Sequence, residues 1–452
     1  HRIACVIQSG AAAALSIIVM TAPNFHRSRR VIVTLCASLL SFAAPAEDID
    51  RPPALHPDAK PIVDHHDPIE VDASLNLAKV IDLTLEKFPD AAWLSAQEAE
   101  AATILERSKS WTSGASRAGL RFQEATSGTL HYVDATVQVP LWNFGQRDAE
   151  RSLADRAQTS ATSQSQATRL RVAGLVRSAL WDMALQKVRY DQAQAEVSNY
   201  EQLFAKIQRR VELGDLPRAD ELLAQTELLQ KRAALTLAEA EMMHTRKRYA
   251  SITQTTKAPA EFKEKLIDLD EIQKNHPALA SLHSQLERKR AEIESLKLIG
   301  SGQTDLTVGV NSDRPSQNDP RSNNTESFNI GVTVPFGGNA HIQPHIAAIQ
   351  VEAAKLQSEY QQLYRDLELA HHEAEHNLEV NKEELKIAEE MKKVAEEHMQ
   401  MMELSFSTGE IDLMDLLKIK ARTLQAILNA KERSVILQRD IAFYNQAVGV
   451  MP

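Results

Sequence analysis

His372-Glu373-Ala374-Glu375-His376 sets two imidazoles four residues apart, with a glutamate between them, in a predicted helix. On a zincin helix this HExxH spacing turns both histidines toward one Zn²⁺ while the glutamate activates water. Here the stretch sits in the middle of a long helical pattern, with no third ligand at a recognised downstream spacing and no cleft-building domain around it. A solvated helix face is the better reading. His371, His372, Glu375 and His376 stay as weak metal candidates, because neutral imidazole suits Zn, Cu and Ni. Asp64-His65-His66-Asp67 lies in a Pro-rich arm, where polar residues need no site to explain them.

The two cysteines, Cys5 and Cys36, add no chemistry if the leader is removed. His26-Arg27-Ser28-Arg29-Arg30 reads as a basic n-region, Val31 to Phe42 as an apolar h-region, and Ala44-Pro45-Ala46 as a small-x-small cleavage site. Residues 1–46 are therefore expected to be a signal peptide with an over-extended start, Met20 being the expected initiator and Glu47 the first mature residue. Cleavage there removes both thiols, and Val33-Thr34-Leu35 lacks the small residues that a lipidated cysteine requires. It also removes Arg2, Arg27, Arg29 and Arg30 with no acid before Glu47, taking the formal charge from -10 to -14. A nucleic-acid partner is disfavoured by that balance. No later segment approaches the apolar length of a transmembrane helix, so the exported chain either stays in the periplasm or spans a membrane as a barrel.

The elements that would carry these residues are mostly helical. Gly and Pro number only 15 and 17, while Ala, Leu, Gln and Glu fill long tracts. Residues 47–71 read as an extended arm punctuated by prolines, followed by helical tracts at 72–112, 145–211, 217–254, 268–300, 340–407 and 412–448. The second of these would extend roughly 100 Å at 1.5 Å per residue, which makes it coiled-coil-like and not globular. Four segments instead alternate apolar and polar residues, around Ala118–Phe122, Val133–Val139, Leu306–Val310 and Phe328–Phe336, and read as hairpins over 117–140 and 304–336.

An internal repeat orders these pieces. Pro140 and Pro335 each follow a strand and stand 195 residues apart, as do Gly214 and Gly409, Asp220 and Asp415, Gln230 and Gln425, and Tyr249 and Tyr444. The two repeats, 72–255 and 256–452, are each helix, hairpin, long helix, turn and helix. Two strand pairs cannot close a barrel, so strands entering a bilayer must be pooled among several chains.

In the paired junctions Val139-Pro140-Leu141-Trp142-Asn143-Phe144-Gly145 and Val334-Pro335-Phe336-Gly337-Gly338, and in the twin turns at Gly214 and Gly409, the chain resembles the TolC-like outer-membrane efflux family. The resemblance covers nearly all of the mature sequence. It implies an α+β protein of mainly long α-helices, a homotrimer whose helical periplasmic tunnel joins a twelve-stranded β-barrel in the outer membrane, four strands per chain. It further implies a passive, non-enzymatic exit duct without a cofactor. Its partners would be a periplasmic adaptor, an inner-membrane pump of the RND type and outer-membrane lipid. The Pro-Phe-Gly-Gly junction and the histidine content lie nearer the branch serving heavy-metal cation pumps than the drug branch. His341 and Pro344 after Gly338 depart from a plain helix start. A type I secretion channel and a soluble periplasmic coiled-coil adaptor are the alternatives.

In a threefold assembly, an inward carboxylate recurs as a ring that attracts cations and raises an electrostatic gate. Asp220, Asp415, Asp215, Glu410 and Asp412 are the gate candidates. Asp215 and Glu410 are also read as helix-start residues, whereas Asp220 and Asp415 are expected beyond the first turn. The resemblance makes Arg210, Val211, Leu213, Gly214, Leu216, Ser405, Thr408, Gly409 and Ile411 the adaptor-contact candidates, with Leu213 and Leu216 expected to be exposed. Trp142 is expected either at the bilayer interface or packed in the junction.

Overall fold

The computed structural model describes residues 69–124, 131–314 and 324–452, all within the unit Ile62–Pro452. The histidines of the arm, the cleavage site and most of both hairpin loops lie outside the described residues. After strand β1 (Glu70–Asp72) come helices α1 (Leu77–Glu86) and α2 (Ala91–Lys109). The tract expected as one helix over 72–112 is thus two, because the pyrrolidine of Pro89 cannot continue the ladder begun in α1. Strands β2 (Arg117–Glu124) and β3 (His131–Leu141) lead into α3 (Gln146–Glu212), and α4 (Arg218–Thr253) returns beside it to β4 (Lys257–Pro259).

The second half repeats the pattern with α5 (Pro277–Ile299), β5 (Thr304–Asp313), β6 (Thr325–Thr333), α6 (Asn339–Ser407) and α7 (Leu413–Ala447). Helix α5 starts nine residues later than the tract expected from 268, since Pro277 occupies its first turn and His276 caps it, the Nδ1 atom accepting from Ala278 N at 3.2 Å. Strand β6 ends at Thr333, before the expected Phe336, because Pro335 cannot donate to the ladder. Pro344 is absorbed inside the second turn of α6.

Three apolar cores space the helices. The first packs Leu77, Val80 and Ile81 of α1 against Val172, Val176 and Leu180 of α3, beside the parallel pair β1–β4. Arg177 crosses this region fully buried. Its guanidinium makes a two-pronged contact with Glu264 at 2.8 and 2.7 Å and also donates to Val450 O at 3.0 Å. The second core lies at the far end of α3, where Tyr200 and Ile207 meet Leu228 of α4, Met399 of α6 and Leu413, Leu416 and Leu417 of α7. The third joins Ile272 and Leu279 to Tyr444 and Val448.

Candidate functional site

The four long strands form one antiparallel sheet in the order β2-β3-β5-β6, so the two hairpins are hydrogen-bonded to each other. Register gathers Ala118, Val137, Val308 and Ile330 into one cross-strand row, and Leu120, Ala135, Val310 and Phe328 into the row two residues on. Because side chains alternate, these rows share a face. The rows between them, Gly119-Thr136-Gly309-Asn329 and Arg121-Asp134-Asn311-Ser327, make the opposite face small and polar. Leu120, Phe122, Val137, Phe328, Ile330 and Val332 are exposed, and the outer edges of β2 and β6 have no partner strand among the described residues. No described helix is long and apolar enough to cross a membrane.

All four strands meet the helices at one end of this sheet, and side chains of the first junction brace that end. Asn143 Nδ2 donates to the carbonyls of Leu298, Ile299 and Gly302, at 3.2, 3.1 and 2.9 Å, and so closes the C-terminus of α5. Arg147 donates to Ser108 O and Lys109 O, each at 3.0 Å, and closes α2 in the same way. Trp142 belongs to this bracing, its indole N–H donating to Ser110 O at 3.0 Å. The exposed aromatic rings at this end are Trp111, Phe144 and Phe336 instead. In the second junction Gly338 N donates to Ser301 Oγ at 2.8 Å, and an added Cβ would lie 2.8 Å from Ser301 Cα, so only glycine permits the approach.

At the opposite end, α3 turns into α4 at Gly214 and α6 into α7 at Gly409. Each helix closes with the same two bonds. Gly214 N donates to Val211 O and Asp215 N to Arg210 O; Gly409 N donates to Phe406 O and Glu410 N to Ser405 O. This is the Schellman arrangement, with the glycine left-handed at C′.

The candidate gate carboxylates lie at these turns, but four of them stand differently toward the helices from what was expected. Asp215 and Glu410 belong to these closing turns and do not adjoin the next helices. Arg210 Nε donates to Asp215 at 2.7 Å while its guanidinium lies over the Phe406 ring, 5.2 Å from the centroid. Asp412 is the N-cap of α7, accepting from Asp415 N at 2.8 Å, whereas its counterpart before α4 is Pro217, which makes no such bond. Asp220 and Asp415 lie in the first turns of α4 and α7, not beyond them, and favour those helices through the dipole.

Among the candidate contact residues, Gly214, Thr408 and Gly409 are exposed and Leu213 is 76% exposed. Leu216 is not exposed as expected. It packs with Val211, Phe406 and Ile411 against the tip core, while Arg210 and Ser405 are half-buried. Beside them runs a groove lined by Leu203, Lys206, Arg209, Arg210, Phe406 and Lys420. Lys420 is held below the usual lysine range by burial, against the pull of Glu403.

The fold divides the four candidate metal ligands, and the buried one, His371, lies just before the HExxH motif. His371 is 8% exposed, its Nε2 3.1 Å from the Tyr444 hydroxyl, whereas His372, Glu375 and His376 are exposed. Among the described residues no three metal-ligating side chains converge, so a zincin ligand set is not assembled. The Arg177 clamp and the capping role of Asn143 were missed in the sequence. Asn143 could have been found as the polar residue of a strand-to-helix junction; Arg177 offered no local signal.

No family model and no curated protein matches the sequence. Solved structures do match it. CusC, described for its folding and transmembrane channel formation, aligns with a TM-score of 0.66 and 11% identity over 83% of this chain and 92% of its own. The outer-membrane channel OprN aligns at 0.64 and 13% identity, over 86% and 96%. The open state of the Neisseria gonorrhoeae MtrE outer membrane channel aligns at 0.62 and 14%, over 83% and 89%. Sheet, paired long helices and twin turns together give this chain the fold of the TolC-like outer-membrane channels.

Proposed function

We propose that the chain is one protomer of a trimeric outer-membrane exit duct, passively conducting cargo delivered by an RND-type inner-membrane pump through a periplasmic adaptor. The amphipathic sheet carries this reading. Its exposed apolar rows suit lipid and its polar rows suit a water-filled lumen, but its two free edges could not persist in hydrocarbon. Pairing β2 of one copy with β6 of the next removes every edge, and three copies supply twelve strands.

The helices support the same assembly. Val380, Ile387, Val394 and Met401 stand exposed every seven residues along α6, as do Leu222 and Leu229 on α4, and neighbouring copies would cover these seams. The tip residues then serve the adaptor, and Asp220 and Asp415, with Asp215, Glu410 and Asp412, supply carboxylate rings at the constriction. Heavy-metal cations are the cargo class favoured by the junction and histidine cues.

The mass of the detergent-extracted protein, followed by conductance in a planar bilayer, tests this. A trimer with a mostly closed, low-conductance pore is expected. A monomer that stays soluble without detergent and conducts nothing would overturn it in favour of a periplasmic coiled-coil protein.

A further inference from the structure

A passive duct has no use for the HExxH motif, yet the fold leaves both of its imidazoles available and engages only the preceding His371. His371 is turned inward and occupied by the Tyr444 hydroxyl. His372 and His376 are exposed, and no hydrogen bond, ion pair or ring contact engages either among the described residues. They lie near the middle of α6, inside continuous helix. Residues four apart on a helix bring their Cβ atoms to about 5–6 Å on one face, the spacing by which a zincin helix presents two histidines to one ion. Because the backbone is already ordered there, chelation would cost only side-chain freedom.

We propose that His372 and His376 together form a two-imidazole site for a divalent d-block cation of the Cu²⁺, Ni²⁺ or Zn²⁺ class. Glu375 and Glu379, exposed within a turn of the pair, are near enough in sequence to add a carboxylate oxygen, with water completing the coordination. Since among the described residues no third side chain is already converged on the pair, either glutamate would have to swing in, and the site is open and exchangeable, suited to brief contact with an ion and not to its retention. His341 and His345 repeat the spacing at the start of α6, but Gly337, Gly338, Ala348 and Ile349 are their neighbours one turn away, and none can ligate through a side chain. The paired site belongs to the surface of α6 and does not depend on the duct reading.

Copper titration of the full-length processed protein in detergent, near neutral pH and followed by electron paramagnetic resonance, is the test. The parent should show a bound Cu²⁺ with two nitrogen ligands, which H372Q/H376Q loses and H341Q/H345Q keeps. Loss of one ligand should cost at least what loss of an orienting partner costs, so H372Q and H376Q alone should each weaken binding by about tenfold or more. The proposal is overturned if H372Q/H376Q binds copper as the parent does. It is overturned equally if each single variant keeps half the copper at undiminished affinity, which would mean two independent imidazoles. Both side chains are solvent-facing, and an unchanged helical circular dichroism signal would establish that the variants fold.

Discussion

Gly214 and Gly409, 195 residues apart, hold nearly the same left-handed backbone, with φ of +77° and +79°. Neither would bring an added Cβ within 4 Å of another atom, so the demand for glycine is conformational and not steric. Replacing either by Ala should therefore cost about 1–2 kcal/mol from the left-handed conformation alone, and by Asn less. Thermal midpoints of G214A, G214N, G409A and G409N should follow that order at both positions. Equal midpoints for Ala and Asn would mean that contacts, not backbone, decide.

Asp220 and Asp415 occupy equivalent first-turn positions, so removing both should do two things. The helix starts lose a favourable charge, each worth about 0.3–1 kcal/mol. If the carboxylates also ring the constriction, the D220A/D415A trimer should conduct more in the closed state and lose sensitivity to divalent cations. Unchanged single-channel conductance would leave them as helix-start residues only.

Arg177 and Glu264 form a buried pair whose two members come from α3 and from the irregular chain after β4. Breaking it leaves an uncompensated buried charge, a loss of about 3–5 kcal/mol. R177M should thus destabilise strongly, while R177M/E264L should recover much of the loss. The same guanidinium donates to the Gln446 side-chain oxygen and to Val450 O, and a double variant no more stable than R177M would show that these, not the charge pair, are what Arg177 serves.

His276 gives a pH-dependent contribution. Burial pushes its imidazole below the ordinary value of 6.5, against a smaller opposing effect from the Ala447 backbone. The unfolded chain therefore takes up a proton near pH 6.5 while the folded one resists until lower pH. Stability is undiminished above pH 6.5 and falls as the pH drops toward the folded value. H276N, which keeps an N-cap side chain but does not titrate, should flatten this acid limb. An unchanged slope in thermal midpoint against pH would assign the effect to other groups.

Much of the architecture was legible because it is periodic. Alternation marked the four long strands, and the 195-residue offset paired Pro140 with Pro335 and Gly214 with Gly409. Local chemistry misled where a single residue overrode the pattern. Pro89 split one expected helix, Pro277 delayed another, and the helix starts at Arg218 and Leu413 moved Asp220 and Asp415 into first turns.

By itself the sequence determined the order of the long helices and the two hairpins, the two-sided character of their strands and the left-handed turns, since each depends on residues close together in the chain; the short parallel pair β1–β4 carried no such local signal. Tertiary structure alone decided that β3 pairs with β5, joining two hairpins into one sheet. It also decided that His371 faces Tyr444 while His372 and His376 stay free, and that Arg177 meets Glu264. These depend on which distant segments share space, and neither periodicity nor spacing along one helix records that.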